Sequence, residues 1–469
     1  MISNYLPTDY QTFIATSRYA RWIEDKGRRE TWVETVQRYT DYLHSKGINL
    51  TGQDWDDIEG AILELEVMPS MRALMTAGVA ADRDNTCIYN CSYVAVDHPR
   101  AFDEAMFILL CGTGVGFSVE RQSISQLPEI PNTLGQSEDV IAVQDSKEGW
   151  AKALRKLISL LYTGDIPKWD LDKIRPAGSR LKTFGGRASG PEPLNDLFNF
   201  VVAKFKGAMG RKLNSIECHD IMCKIGEVVV VGGVRRSAMI SLSNLSDTRM
   251  AHAKSGSWWE NEKQRALANN SACYTEKPDS ETFLREWLAL VESKSGERGI
   301  FSRVAAEAHV AKNGRRETGY AWGTNPCSEI ILRSNQFCNL TEVVVRETDD
   351  LASLKRKVRL ATILGTAQAT FTHMPYLRPI WTKNTSEERL LGVSLTGIMD
   401  HPVLGKNVDS PKWLAEMKQV AIDTNAEYAE RLGIEVSAAI TCVKPSGTVS
   451  QLVDSASGIH ARHSDHYIR

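Results

Sequence analysis

The chain has 469 residues, of which 42% are hydrophobic and 24% are charged, values that are ordinary for a globular enzyme. The formal net charge of −2 gives no basic surplus of the kind that nucleic-acid-binding proteins carry. No stretch approaches 18 consecutive apolar residues, and the first residues do not read as a secretory signal. We therefore expect a cytoplasmic enzyme that binds neither membrane nor nucleic acid, and whose nine cysteines are buried or reactive thiols rather than structural disulfides.

Taken in chain order, residues 1–67 are charged and show helical periodicity, which predicts an N-terminal helical segment. From residue 68 onward, short apolar runs alternate with amphipathic stretches, and this alternation predicts an α/β architecture. The run at 226–234 is compatible with a helix end or a strand. The predicted strands are 91–96, 342–347 and 439–444, and the predicted helices are 99–112, 283–299 and 354–371.

The most informative stretch reads Asn-Pro-Cys-Ser-Glu at 325–329, with Cys338 eleven positions after Cys327. If the stretch is extended, Asn325, Cys327 and Glu329 share one face, because alternate residues of a strand point the same way. A hydrolase would set a histidine beside a nucleophilic cysteine, and no histidine lies nearby in the sequence. A thiol beside a carboxylate suits a sulfur that takes a hydrogen atom while the carboxylate takes a proton.

This stretch and the sequence around it resemble the catalytic chain of ribonucleotide reductases, and most of all the monomeric adenosylcobalamin-dependent class II type. The resemblance runs from about residue 68 to the C-terminus and includes eight motifs in family order. These motifs are MPSMRALMTAG (68–78), NCSYVAV (90–96), CGTGVGFSVE (111–120), IRPAGSRLKTFGGRASGP (174–191), VGGVRRSA (231–238), NPCSEI (325–330), FCNLTEV (337–343) and PSGTVSQ (445–451).

The resemblance implies a catalytic domain over residues 68–469 that is a ten-stranded α/β barrel with the radical cysteine on an internal finger loop. It places an effector-binding region at about 112–245. Relatives continue past residue 469 through a last barrel strand and a tail with paired cysteines, so we expect that strand and tail to be missing here.

By resemblance, Cys327 forms the transient thiyl radical that removes the 3′ hydrogen of a ribonucleotide. Glu329 is then the general base on the 3′ hydroxyl, and Asn325 bonds either the ribose hydroxyls or the Glu329 carboxylate. We expect the Cys327 sulfur to lie deep in a closed cavity, because a radical needs shielding.

The resemblance makes Cys91 and Cys338 the pair of thiols that reduces the substrate and closes into a disulfide. Such closure requires Cα atoms within about 7 Å. The alternative, that both are unrelated core cysteines, stays open at the level of sequence.

Two further regions are implied to bind substrate. A turn and helix start at 445–450 would cradle the phosphates, since free amides at a helix start bind anions. A simpler alternative is a helix N-cap formed by Ser446 or Thr448. By resemblance, Gly112 and Asn90 line the ribose, although the glycines at 112–116 are also explained by close packing. The phosphate residues are Pro445, Ser446, Gly447, Thr448, Val449 and Ser450.

The resemblance also implies a deoxynucleoside triphosphate effector whose site communicates with the active site through two basic loops. Ordinary solvent-facing charges are the alternative. The residues assigned to these loops are Arg175, Arg187, Arg235, Arg236 and Ser237.

Two stretches suggest metal ligands, but we predict no metal site. Residues 218–223 (CHDIMC) have one cysteine pair and one histidine, whereas structural zinc needs four ligands, so a helix with buried thiols is preferred. The histidines at 460, 463 and 466 lack a completing carboxylate or cysteine, and a solvated or phosphate-facing cluster is preferred.

The predicted function is thiyl-radical reduction of ribonucleoside tri- or diphosphates, with adenosylcobalamin as radical source and an external thiol reductant such as thioredoxin. One alternative is a class I catalytic subunit that needs a separate radical-generating subunit. The chain has no Tyr-Tyr dipeptide, which favours the cobalamin type. Another alternative is a truncated chain that binds nucleotides without turnover.

Overall fold

The computed structural model describes residues 5–179, 187–231, 239–406 and 408–464. The chain divides into two compact units, one formed by residues 1–90 and 337–469 and the other by residues 91–336. Within the described ranges, no helix combines the length and apolar character needed to cross a bilayer.

Nineteen α-helices occur in the described ranges, with short 3₁₀ turns at Asn85–Ile88, Lys263–Leu267 and Ile398–Asp400. The helices are α1 (Asp9–Arg18), α2 (Trp32–Ser45), α3 (Gly52–Leu63), α4 (Met71–Thr76), α5 (Val79–Arg83), α6 (Arg100–Leu110), α7 (Arg121–Ile124), α8 (Lys147–Thr163), α9 (Glu192–Gly207), α10 (Ser215–Val231), α11 (Thr248–Ala251), α12 (Trp258–Asn261), α13 (Ser280–Ser293), α14 (Arg303–Asn313), α15 (Leu351–Gln368), α16 (Pro379–Glu388), α17 (Pro402–Lys406), α18 (Ser410–Leu432) and α19 (Thr448–Leu452).

Fifteen strands occur in the same ranges. They are β1 (Trp22–Ile23), β2 (Arg28–Arg29), β3 (Val67–Met68), β4 (Cys91–Ala95), β5 (Gly114–Ser118), β6 (Gly135–Ala142), β7 (Asp165–Asp170), β8 (Met239–Asn244), β9 (Ala268–Tyr274), β10 (Gly299–Ser302), β11 (Gly323–Thr324), β12 (Ile331–Leu332), β13 (Gln336–Cys338), β14 (Leu340–Val344) and β15 (Gly392–Thr396).

In the unit formed by residues 91–336, five parallel strands lie side by side in the order β10-β9-β8-β5-β4. All five residues of β5 are buried, as expected for a parallel strand covered on both faces. Helix α6 is also buried along nearly its whole length, and it leads directly into β5. The centre of this unit is therefore a parallel sheet, in which β5 lies between β4 and β8.

In the unit formed by residues 1–90 and 337–469, β14 lies between β15, which is parallel to it, and β3, which is antiparallel. Helix α15 packs against β14 and against α18. Capping boxes start α2 and α3, where Thr31 pairs with Glu34 and Thr51 with Asp54. A single parallel bridge from Val393 to Thr441 brings the chain before residue 445 beside the end of this sheet.

Several predicted elements are confirmed. The predicted segments 91–96, 99–112, 342–347 and 354–371 correspond to β4, α6, β14 and α15. The N-terminal helical prediction is also met by α1, α2 and α3. The open segment 226–234 is helical over residues 226–231 within α10, and residues 232–234 lie outside the described residues. The α/β class is confirmed, and the strands of the described residues form no closed barrel.

Two predicted elements differ from the structure. The helix expected to continue to residue 299 ends at Ser293, because Lys294 adopts a left-handed conformation (φ +54°) that stops the helix before the two glycines. The strand expected at 439–444 is reduced to the bridge at Thr441, because its backbone hydrogen bonds to β15 are made only by Ile440 and Cys442, both to Val393.

Candidate active site

The segment 323–332, which we call the finger hairpin, carries the Asn-Pro-Cys-Ser-Glu motif at its tip. Strands β11 and β12 pair antiparallel, with Gly323 opposite Leu332 and Thr324 opposite Ile331. The Thr324 hydroxyl also donates to the Ile330 carbonyl oxygen at 3.1 Å. Residues 325–330 are therefore a turn held between two short strands.

Asn325 organises the inside of this turn. Its side-chain Nδ2 donates to Glu329 Oε2 at 2.5 Å, and its Oδ1 accepts from the backbone N–H of Ile330 at 3.0 Å. Its backbone carbonyl accepts from the N–H of Ser328 at 2.9 Å. Asn325 is fully buried, and its bond to Glu329, which is half-buried, holds that carboxylate in one place.

The extended geometry expected for residues 325–329 is wrong. Ser328 has φ +62°, so the chain turns back and does not alternate its side chains along a strand. The predicted juxtaposition of Asn325 with Glu329 nevertheless exists, because the turn brings their side chains into a direct hydrogen bond.

The expected burial of Cys327 is also wrong. Cys327 is exposed, whereas Asn325 and Pro326 before it are buried. The physical reason is that the tip of a hairpin projects beyond the strands that form it. The sulfur is therefore accessible to a reagent or a ligand that approaches the tip.

Two glycines allow the finger hairpin to lie against the parallel sheet. A Cβ atom added to Gly116 on β5 would lie 1.9 Å from the Thr324 carbonyl oxygen, and one added to Gly323 would lie 2.0 Å from the Tyr93 ring. Neither distance is possible for a real side chain. The backbone of the hairpin stem therefore touches β5 and β4 directly, at the two places where a side chain is missing.

An arginine fixes the start of the hairpin. Arg303, the first residue of α14, donates from Nε to the Trp322 carbonyl oxygen at 2.9 Å and forms two bonds to Glu120 at 2.7 and 3.0 Å. The Glu120 carboxylate also accepts from the Ser118 hydroxyl at 2.8 Å. Burial alone would raise the pKa of Glu120, but its bonds to Arg303 outweigh burial and hold the pKa below the ordinary value.

A second arginine supports the far side of the stem. Arg316 donates to the Ile331 carbonyl oxygen at 2.7 Å, and its guanidinium lies 4.4 Å from the centre of the Trp322 ring. Trp322 is fully buried and packs with Ala306 and Val310. Both ends of the turn are thus attached to a buried aromatic core.

Gly323, Arg303, Glu120 and Arg316 were not predicted as site residues, and Gly116 was noted only within the glycines at 112–116. A signal existed for Gly116, since a third glycine at a buried strand position suggests close backbone approach. The arginines carried no local signal, because their partners are 15 to 183 positions away in the chain.

Cys91 and Cys338 are both buried, with exposed fractions of 8% and 1%. Cys91 is the first residue of β4 and Cys338 the last residue of β13. They belong to different compact units, and their pairing stays a prediction.

The two residues assigned to the ribose are also buried. Gly112 has φ +81° in the turn between α6 and β5, a conformation that favours glycine. Asn90 accepts from the Ser70 hydroxyl at 2.5 Å through its side-chain oxygen. Each is held in a defined place within its own unit, and their roles toward a ribose stay predictions.

The predicted phosphate turn is held by its own contacts. Helix α19 begins at Thr448 and its N-cap position is Gly447, so neither Ser446 nor Thr448 occupies that position, although the Ser446 hydroxyl accepts from the N–H of the third helical residue, Ser450, as a capping side chain does. Ser446 is buried and donates to Glu342 Oε2 at 2.6 Å, and the Ser450 N–H donates to the Ser446 hydroxyl at 3.1 Å. Pro445 and Gly447 are exposed, whereas Val449 and Ser450 are buried.

Of the predicted effector-loop residues, two are described. Arg175 donates to Asp145 at 2.7 Å, and Arg187 donates to the Gly178 carbonyl oxygen at 2.9 Å. Arg235, Arg236 and Ser237 lie outside the described residues.

Among the described residues, no group of three or more His, Cys, Asp or Glu side chains is placed to hold a metal ion. The CHDIMC stretch lies on α10 with both thiols buried, as predicted. His219 instead bonds Ser241 through Nδ1 at 3.0 Å and contacts Cys223 Sγ through Nε2 at 3.4 Å. This histidine links α10 to β8.

Comparisons with known proteins agree on one group. Residues 129–203 match the family model described as "B12-dependent ribonucleotide reductase, insertion domain". The chain is 29% identical to the adenosylcobalamin-dependent ribonucleoside-triphosphate reductase of Lacticaseibacillus paracasei, covering 96% of this chain and 73% of the relative. It is 27% identical to the protein of the same name from Euglena gracilis, covering 96% of this chain and 64% of the relative.

Solved structures give the same result for the fold. A crystal structure of a B12-dependent class II ribonucleotide reductase superposes with a TM-score of 0.79 at 23% identity, covering 96% of this chain and 74% of that one. The alpha subunit of the class Id ribonucleotide reductase of Actinobacillus ureae superposes with a TM-score of 0.60 at 13% identity, covering 99% and 77%. The likeness to the class II fold is the greater of the two.

Proposed function

We infer that the chain belongs to the adenosylcobalamin-dependent class of ribonucleotide reductases, and we propose that it reduces ribonucleoside triphosphates to 2′-deoxyribonucleoside triphosphates. The class I alternative is disfavoured, because the curated relatives carry the cobalamin-dependent name and the class II structure superposes better. The observation that carries the proposal is the finger hairpin, which has an exposed cysteine at its tip two residues before a carboxylate that an amide side chain holds.

Cys327 is proposed to take the hydrogen atom from the ribose 3′ carbon. An S–H bond and an activated ribose C–H bond are similar in strength, so the hydrogen can be returned after reduction. Adenosylcobalamin, when bound, supplies the initial radical. Cys327 is exposed, so a cofactor and a substrate can approach the tip, but the described residues do not bury it as the shielding of a radical requires.

Glu329 is proposed to take the proton of the 3′ hydroxyl. A general base must be fixed within hydrogen-bond reach of the proton it removes. Asn325 meets that need for Glu329, since its Nδ2 holds one carboxylate oxygen in a fixed position. Of the two predicted roles for Asn325, the hydrogen bond to Glu329 is therefore the one we propose.

Cys91 and Cys338 are proposed to supply the two electrons and two protons that replace the 2′ hydroxyl by hydrogen. The C2′–O bond breaks, one proton leaves with the oxygen as water, the other ends in the new C2′–H bond, and the two thiols are oxidised to one disulfide. A disulfide requires Cα atoms within about 7 Å of each other when the substrate is bound. An external dithiol, such as thioredoxin, then reduces the disulfide for the next cycle.

The remaining predicted residues are proposed to position the nucleotide. Gly112 and Asn90 would line the ribose, and the turn at 445–450 would face the phosphates. Arg175, Arg187 and the segment 235–237 would connect a deoxynucleoside triphosphate effector to the substrate base. The complete enzyme of this class is proposed to form the ten-stranded barrel around the finger hairpin.

The test is an anaerobic assay with adenosylcobalamin, a ribonucleoside triphosphate and a small dithiol, without any second protein. We expect product with the native chain, and a Cys327→Ser variant that binds the nucleotide but forms at least about 1,000-fold less product, because a hydroxyl cannot exchange a hydrogen atom with carbon as readily as a thiol. Cys87→Ser is the matched control, since Cys87 is buried and a serine hydroxyl can keep its bond to the Asp84 carbonyl.

Each other outcome has a defined meaning. Product from Cys327→Ser at the native rate would refute the role of the sulfur. Product only after addition of a radical-generating subunit would favour the class I alternative. Nucleotide binding without product under either condition would favour a chain that binds but does not turn over.

A further inference from the structure

Three polar side chains meet at the start of the predicted phosphate turn, and Glu342 is the centre of the group. Glu342 lies on β14 with only 2% of its surface exposed. One of its carboxylate oxygens forms an ion pair with the Lys444 ammonium, and the other accepts from the Ser446 hydroxyl at 2.6 Å. The backbone N–H of Lys444 also donates to the Ser394 hydroxyl on β15 at 2.9 Å. The turn is thus attached to both strands of the sheet below it.

These bonds use the hydrogen-bonding capacity of Ser446 inside the fold. A serine hydroxyl has one hydrogen to donate, and here Glu342 receives it. The same oxygen accepts from the Ser450 N–H at 3.1 Å. Phosphate oxygens need donors, and the donor of Ser446 is already engaged with a carboxylate. The side chain of Ser446 therefore braces the turn.

Lys444 has hydrogen-bond donors and a positive charge that could bind phosphate oxygens, whereas the hydrogen of the Ser446 hydroxyl is donated to Glu342. Its ammonium group carries three N–H donors and a full positive charge. Its side chain keeps 14% of its surface exposed, whereas the side chain of its partner Glu342 keeps 3%. The carboxylate is therefore on the buried side of the pair and the ammonium is nearer the solvent, at the first residue before the turn.

The helix that follows the turn is short. Helix α19 has five residues, and Gly447 at its start adds no side-chain donor. A triphosphate carries several negative charges, and backbone amides alone neutralise little of that charge. A cation beside the amides is the missing part of a phosphate site.

We propose that Lys444 binds the phosphates of the nucleotide by its charge, that Glu342 is the positioning residue that holds the ammonium at the turn, and that Ser446 is a brace without phosphate contact. The proposal rests on the proposed function for the identity of the nucleotide. It assigns the phosphate contact to a residue just before the PSGTVS motif.

The test measures binding of a ribonucleoside triphosphate, the matching nucleoside and inorganic tripolyphosphate by calorimetry, with no cofactor or reductant. Replacing Lys444 alone would leave a buried unpaired carboxylate, so the main variant is the neutral pair Lys444→Gln with Glu342→Gln. We expect at least about 10-fold weaker binding of triphosphate and tripolyphosphate, and unchanged nucleoside binding. Ser446→Ala, which removes the brace and keeps the Lys444 charge, should lose less triphosphate affinity than the neutral pair does.

Glu342→Asp tests the positioning role, because it keeps the charge and moves the carboxylate away from Lys444. We expect a higher KM for the triphosphate, unchanged kcat and unchanged nucleoside binding. Lys444→Arg, which keeps the charge, should retain most of the tripolyphosphate affinity.

Two results would overturn the proposal. The first is a 10-fold loss in Ser446→Ala together with native affinity in the neutral pair, which would make the hydroxyl the phosphate ligand. The second is an equal loss of nucleoside and triphosphate binding, which would indicate general damage. A chain that shows Lys444-dependent triphosphate binding without any turnover would refute the proposed function and leave this inference intact.

Discussion

Asn325 joins the stability of the finger hairpin to its chemistry, because one side chain satisfies a backbone N–H and holds the proposed base. Its Oδ1 accepts a hydrogen bond from the Ile330 N–H, and its Nδ2 donates one to the Glu329 carboxylate. These two functions can be separated by substitution, since a carboxylate can accept a hydrogen bond but cannot donate one when ionised.

We predict that Asn325→Ala lowers both stability and activity. The Ile330 N–H loses its partner, which costs about 1–3 kcal/mol of unfolding free energy. Asn325→Asp should preserve more of that stability, yet it should lower kcat/KM at least about 100-fold, because it sets a second negative charge against Glu329. Urea unfolding and initial rates measure the two effects. Equal activity of the native and Asp variants would contradict the role of Asn325 toward Glu329.

We also predict that Cys327 is alkylated by iodoacetamide before the buried cysteines. Cys327 is exposed, whereas Cys218 and Cys223 are fully buried. Burial raises the pKa of the Cys218 and Cys223 thiols well above the ordinary value, which further lowers their thiolate fraction. Mass spectrometry of peptides after timed labelling gives the order of reaction. Simultaneous labelling of all three would show that the tip is less accessible than the structure indicates.

At the scale of elements, the finger hairpin depends on its contact with β5. Strand β5 supplies Gly116 and the hairpin supplies Thr324, and the two backbones meet with no side chain between them. The position of the tip is therefore set by a backbone contact about three residues away from Cys327 in the chain.

We predict that Gly116→Ala displaces the hairpin. The added methyl group would overlap the Thr324 carbonyl, which costs about 1–3 kcal/mol and shifts the tip. Because small displacements of reacting groups reduce rates strongly, kcat should fall at least about 100-fold. Gly135→Ala on β6 is the control, since an added Cβ there meets no atom within 4 Å. Native activity in Gly116→Ala, with unchanged stability, would show that the contact does not position the tip.

At the scale of the whole molecule, the free energy of unfolding should decrease in acid, and His219 should account for part of that decrease. Burial lowers its pKa to about 3, against an ordinary value near 6.5. Between these two pKa values, His219 is protonated in the unfolded chain and neutral in the folded chain. The free energy of unfolding is therefore highest above pH 6.5 and falls as the pH decreases toward 3.

We predict that His219 accounts for a loss of about 2 kcal/mol of unfolding free energy between about pH 7 and about pH 5. His219→Gln is the comparison, because an amide can still bond Ser241 and Cys223 but does not titrate in this range. Denaturant unfolding at several pH values gives the slope of the unfolding free energy against pH for the native chain and for the variant. Identical slopes for the native chain and the variant would contradict the prediction.

The sequence was sufficient for the α/β class and for elements with strong local periodicity, such as α6 and α15, because periodicity reports which face of an element is buried. It was insufficient where a single backbone angle decides the outcome. Lys294 ends α13 early, and Ser328 turns the tip of the finger hairpin. Both residues have a positive φ, which the sequence would predict only for a glycine.

The candidate site was predictable in composition and less so in arrangement. Asn325, Cys327 and Glu329 were identified from one motif, and their separation of two to four positions ensured that they would be neighbours. Arg303 and Glu342 were not, because each acts through partners about 100 to 180 positions away. The exposure of Cys327 depends on how the stem of the finger hairpin packs, and a local sequence pattern does not predict that packing.

The contacts of Ser446 and Lys444 with Glu342 tie the turn at 445–450 to β14. The conformational freedom of this turn is therefore lost during folding. If the turn binds phosphate as proposed, capture of a nucleotide there should need little rearrangement, and its speed should be set by diffusion of the anion rather than by motion of the loop.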